Sequence, residues 1–158
     1  MRWSLATVYV AALLAGPACA QLPVETAKDQ PALLDSADAS LAANKRLVFE
    51  FWRVVHQARQ VDRTPEYVAE DFVDHAPNAV SGRAALIASL GQSPPTPVKP
   101  TVDELVSIVA EHDLVVLALR RELPDLENEG QTYTTTGFEM FRVAGGKIVE
   151  HWGYDTKE

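Results

Sequence analysis

FEMFRVAGGKIVEHWGYD, residues 138–155, reads as two extended runs joined by a tight turn. Phe138, Phe141, Val143, Ile148, Val149 and Trp152 are aromatic or β-branched, the types that suit a pleated surface. Between them Gly145-Gly146 reaches positive φ at low cost, which makes the pair a β-hairpin signal. Reading backwards from this hairpin, residues 132–143 form its first strand, and residues 101–110 and 114–121 read as two more. Their separators are His112-Asp113 and the polar run PDLENEG at 124–130. The stretch SPPTPVKP, 93–100, is too rich in proline for any helix to cross it, because proline lacks an amide donor and crowds the residue before it.

Upstream of the prolines the period changes from two to about 3.6. Leu47, Val48, Phe51, Val54 and Val55 recur at three- and four-residue steps, with Lys45, Arg46, Arg53 and Arg59 largely opposite, the pattern of an amphipathic helix. Thr64 can cap a short second helix that carries Pro65 in its first position and Glu66 in its first turn. Phe72 to Ala76 reads as extended, and Ser81 opens a third helix through Leu86, Ile87 and Leu90. Helices first and an antiparallel meander afterwards is an α+β order, since a parallel sheet would alternate the two.

MRWSLATVYVAALLAGPACA, residues 1–20, has the layout of a cleavable signal peptide: Arg2, an uncharged run from Leu5 to Ala15, and small residues at Ala18 and Ala20. The run is shorter than the roughly 20 residues of a bilayer span, so no permanent membrane span is expected. Cleavage after Ala20 and export, periplasmic or secreted, are the expectation. Residues 21–40 mix proline, small and acidic side chains without periodicity and are read as a flexible leader, with the folded domain over 41–158. The single cysteine, Cys19, would leave with the signal, taking with it any disulfide, thiolate nucleophile or cysteine-ligated metal. A formal net charge of −8 with no basic run excludes nucleic acid as a partner.

Two segments carry a family resemblance. YVAEDFVDHAPNAVSGRAALIASL, 67–90, has a short helix, an extended piece with histidine, a proline turn and a glycine-arginine pair opening a helix. Together with 138–155 it resembles the SnoaL-like polyketide cyclase family of the nuclear-transport-factor-2-like superfamily. The resemblance implies an α+β cone, a strongly curved antiparallel sheet wrapped around N-terminal helices, whose open end holds a small molecule. It also implies a homodimer. Cyclases, isomerases, hydrolases and non-catalytic binding domains share that fold, so fold alone selects no reaction.

Acid-base chemistry on a carbonyl compound needs a basic group in a dry pocket and a donor for the oxygen that gains charge. Along TYTTTGFEMFRV, Glu139 shares parity with Tyr133 and Phe141, an apolar neighbourhood in which desolvation would raise a carboxyl above its ordinary range. Glu139 also stands where the family has its catalytic aspartate, one methylene longer here, or else it is a solvated strand residue or one salt-bridged to Arg120 or Arg121. His75, at the family's histidine position, would polarise a carbonyl or share a proton, or else hold the turn. Arg120 shares parity with Val116 and Ala118 and would reach into the cone as an anion anchor, or else pair with an acid at the rim. Trp52, Tyr133, Phe141, His151 and Trp152 are the candidate substrate-binding residues, although alternation sends His151 and Trp152 to opposite faces. His56 reads as a helix-terminal structural residue.

His75, His112 and His151 lack the spacing of a metal motif, and no serine elbow, phosphate loop or dinucleotide fingerprint occurs, so neither metal nor cofactor is expected. The expected function is proton abstraction from a small apolar carbonyl compound, by Glu139 with His75 and Arg120, leading to aldol cyclisation, isomerisation or dehydration. The alternatives are a non-catalytic ligand-binding or interaction module and water activation of the epoxide-hydrolase kind.

Overall fold

A computed structural model describes residues 21–153. The expected signal peptide with Cys19, and Tyr154 to Glu158, lie outside the described residues. Among the described residues four α-helical segments precede or flank five strands: α1 (Gln30–Leu33), α2 (Ala39–Phe51), α3 (Thr64–Tyr67), β1 (Val68–Asp74), α4 (Arg83–Leu90), β2 (Leu105–Glu111), β3 (Leu114–Pro124), β4 (Thr132–Ala144) and β5 (Lys147–Trp152). No helix of the described residues is long and apolar enough to cross a membrane.

The strands form one open sheet in the order β1-β5-β4-β3-β2. The meander from β2 to β5 is antiparallel, as the turns require, with Gly145 and Gly146 at φ 56° and 74° in the last of them. The sheet as a whole is mixed rather than antiparallel throughout, because β1 joins the edge of β5 in parallel. From that edge α4 and the proline-rich segment carry the chain to β2 at the opposite edge, a crossover that hairpin signals do not reveal. Register shifts interrupt three of the four strand pairings, β1 with β5, β2 with β3 and β4 with β5, and each such bulge bends the sheet.

The inner face carries the core. Val115, Leu117 and Leu119 of β3, Phe141 and Val143 of β4 and Ile148 of β5 are almost fully buried against Val48, Phe51, Val54 and Val55 of the long helix. That helix begins on Asp38, whose carboxylate accepts from the amides of Ser40 and Leu41. Beyond Phe51 its last turns widen into a π-helix, Trp52–Gln57. The outer face leaves Val109 and Phe138 more than half exposed.

The stretch 21–40 is not a free leader. Gln30 is buried, and its side-chain amide donates to the Val102 carbonyl at 2.7 Å while its oxygen accepts from the Val102 amide at 2.9 Å. The Ala27 amide donates to the Leu105 carbonyl, and the buried Lys45 ammonium donates to the carbonyls of Leu33 and Asp35. Anchoring by a few polar residues leaves no hydrophobic period in the sequence. Replacing Gln30 by alanine leaves the Val102 amide without its partner, and the Val102 carbonyl with the Leu105 amide alone, and is expected to cost about 2 kcal/mol, measured by chemical denaturation.

Candidate functional site

Four charged side chains meet on the inner face in alternating sign. The imidazole of His151 lies with Nδ1 3.0 Å from Asp74 Oδ1 and Nε2 2.9 Å from Glu139 Oε2. Arg121 donates to the other oxygen of Glu139 at 2.9 Å. Glu139 is only 6% exposed and the His151 side chain 17%. Both ring nitrogens face carboxylates, so the arrangement suits an imidazolium donating twice. Burial works against that charge, but the hydrogen bonds and fields of Asp74 and Glu139 outweigh it and push the imidazole up to about 9.

Local sequence puts each group there by a different route. Glu139 follows Gly137 and precedes Phe141 on the inward parity of β4. His151 owes its place to a bulge: Arg142 pairs with Glu150 and Val143 with Ile148, so Val149 is an extra residue. Ile148 and His151 therefore both face inward, and the His151 ring stacks on Phe141 at 4.9 Å. Asp74 ends β1 on the parity of buried Phe72 and reaches His151 because β1 lies beside β5. Gly153 completes the wall, since a Cβ there would meet Glu139 Oε2 at 3.0 Å and the His151 ring at 3.3 Å.

Two cavities open beside this chain of charges. One, of about 270 Å³, is lined mainly by apolar side chains including Phe51, Phe72, Leu86, Leu90 and Phe141, with Asp74 and His151 as its charged groups. The other, of about 440 Å³, lies towards the mouth, with Trp52, Arg59, Arg120 and Arg121 among its walls. His56 lines both. Its ring stacks on Trp52 at 3.8 Å. Burial, then the charges of Arg59, His151 and Arg121, push His56 down to about 3, so it is a neutral imidazole. Among the described residues Glu139 lines neither cavity.

The site thus differs from the set expected from sequence. Arg121, not Arg120, meets Glu139; Arg120 pairs with Glu122 at 2.9 Å. The buried parity of β3 is Val115, Leu117 and Leu119, and a run apolar at every position from Leu114 to Leu119 cannot reveal which set faces inward. His75 is on the outer face, exposed, stacked on Trp152 at 4.7 Å and bonded to Glu150 at 3.1 Å. Trp152 faces outward with it, under the guanidinium of Arg142. Tyr133 is 41% exposed near the far end of the β3-β4 hairpin. Trp52, Phe141 and His151 do line the cavities. Asp74, His56 and Gly153 were missed, although the shared parity of Phe72 and Asp74 was a readable signal for the first.

The raised value of His151 has a definite sign in stability. Relative to an ordinary 6.5, the charged ring stabilises the fold fully below about pH 6.5, and that contribution is lost as pH rises through about 9. Denaturation of wild type and His151→Asn is expected to show the largest difference at pH 6, shrinking towards pH 10 by on the order of 3 kcal/mol.

Comparison with known proteins agrees with this architecture. The chain is similar to a SnoaL-like polyketide cyclase structure from Jannaschia sp. CCS1, with 19% identity, TM-score 0.52, and 74% of this chain and 88% of that one covered. An LEH-like epoxide hydrolase of M. tuberculosis is 15% identical, with TM-score 0.51 over 72% of this chain and 79% of that one. A polyketide cyclase structure from Xanthomonas campestris is 22% identical, with TM-score 0.50 over 75% and 93%. Such likenesses show the fold and no more. No curated protein sequence matches the chain significantly. The model of the SnoaL-like domain matches residues 23–151, and the chain belongs to that family.

Proposed function

We propose that the protein is a small-molecule enzyme that removes a proton from carbon beside the carbonyl group of a compact, largely apolar substrate. One observation carries the reading. Asp74 lines the apolar cavity, and both hydrogen bonds that its carboxylate makes to described residues, from the Ala76 amide and with the His151 ring, fall on Oδ1. Its other oxygen is left to face a ligand.

Desolvation raises the Asp74 carboxyl, but the His151 hydrogen bond, the Ala76 amide and the nearby imidazoles outweigh it and hold the group below its ordinary value. Asp74 is therefore ionised at neutral pH and can accept a proton. The His151 imidazolium sits beside it and offsets the negative charge that develops on the substrate oxygen, fixed in place before the reaction. Glu139 has both oxygens engaged, by Arg121 and by His151, so its part is to hold His151 charged and oriented. That moves the proton-accepting role from Glu139 to Asp74. Cyclisation, isomerisation and dehydration share this first step.

Water activation on an epoxide is a second reading, supported by the same oxygen of Asp74, which could hold a water beside the His151 imidazolium. An export signal over residues 1–20 and a homodimer through the outer face remain part of the proposal. Exposed Val109 and Phe138 support the dimer.

A panel of small ketones in deuterium oxide tests the main reading. Wild type is expected to exchange α-protons, Asp74→Asn to lose roughly a hundredfold or more, and Glu139→Gln to shift the pH profile to lower pH as His151 loses a partner. Binding of ketones without exchange by wild type would sink the carbonyl reading. Incorporation of one ¹⁸O from water into an epoxide would then favour the second, and neither activity would leave a binding module.

A further inference from the structure

The mouth cavity has a composition that proton abstraction does not use. It is lined by three arginines in a chain whose formal net charge is −8. Arg120 is held by Glu122 and Arg121 by Glu139, each at 2.9 Å. Arg59 has no hydrogen bond or ion pair with its side chain among the described residues. The other carboxylate at this cavity, Glu104, is exposed to water. We propose that this cavity binds a carboxylate carried by the substrate, with Arg59 as the principal contact, while the apolar body of the same molecule enters the inner cavity past His56.

The backbone at Arg59 supports the assignment independently of charge. Its φ is 58°, in the left-handed region, directly after Ala58 closes the π-helical segment. Glycine is the ordinary residue there, because a Cβ in that conformation crowds the neighbouring carbonyl. The surrounding chain holds the conformation in place: the Val61 amide donates to the Arg59 carbonyl at 2.9 Å, and the Gln60 amide donates to the Val54 carbonyl at 3.1 Å. A cation kept at a position that suits glycine, half-buried and lining a cavity, is strain retained where a ligand is met.

The field has the required sign. Beside Arg59, His56 is a half-buried neutral ring, and the charges that act on it, those of Arg59, His151 and Arg121, are all positive. Guanidinium groups take a carboxylate through two parallel hydrogen bonds, and the stacked pair of Trp52 and His56 offers a flat wall beside them. The assignment rests on the cavities forming a small-molecule site, and not on catalysis.

Matched probes separate the charge from the body. Binding of 2-naphthoate and of methyl 2-naphthoate to the whole protein would be measured by calorimetry or NMR, for wild type, Arg59→Gly and Arg59→Asn. Wild type is expected to prefer the acid by about tenfold or more, and both variants to bring acid and ester within about threefold. The melting temperature of Arg59→Gly is expected to be unchanged or higher, since the strain is relieved, which a merely structural arginine would not show. No preference in wild type, or an undiminished preference in both variants, would overturn the assignment. Inorganic phosphate displacing the acid with equal affinity would also overturn it, since the inner cavity would then contribute nothing. A protein that prefers the acid yet exchanges no deuterium keeps this site and loses only the catalytic reading.

Discussion

The imidazolium of His151 lies between two carboxylates that come from different strands, and most of the site depends on it. Asp74 belongs to β1, Glu139 to β4, and His151 to β5 between them in the sheet. A charged ring removed from water is tolerated only when its donors are matched, and here both are. The same match fixes its orientation, so the ring can present its charge to a ligand without rearranging. Glu139 in turn needs a second cation to balance it, which Arg121 supplies from β3. Four neighbouring strands are thereby tied together on one face by charge as well as by backbone hydrogen bonds.

That cluster constrains the backbone around it. The bulge at Val149 turns His151 inward without moving Ile148 out of the core, and a side chain at Gly153 would press on Glu139 and His151. The π-helical end of the long helix serves the opposite wall, where Trp52 and His56 stack against one another. One wall is thus charged and the other aromatic and neutral. Between them lie an apolar chamber beside Asp74 and a guanidinium-lined mouth, with His56 common to both. The division suits a molecule with an apolar body, a reacting carbonyl and an acidic end.

Much of the fold was legible because its signals are local. The glycine pair, the polar turns and the change of period across the prolines depend on neighbouring residues only, and the α+β order follows from them. Glu139 was legible for the same reason, since the alternation along its strand is clear. Which of Arg120 and Arg121 meets it was not, because a strand apolar on both parities hides its inward face. Alternation alone sent His151 and Trp152 to opposite faces but could not say which went inward, because one inserted residue reverses parity and leaves no mark in the sequence. The ordering of residues 21–40 was hidden in the same way, resting on Gln30 and Lys45 meeting distant carbonyls.

By itself the sequence determined the order of elements, the hairpin, the inward carboxylate of Glu139 and the acidic net charge, all of which follow from short-range periodicity and composition. Only the tertiary structure decided which imidazole pairs with it, that Asp74 rather than His75 borders the cavity, and that Arg59 stands at the mouth. The physical reason is that β1 joins β5 across a long connection and that bulges set which side chains face inward. Those relations are fixed by packing between strands distant in sequence, and no local pattern encodes them.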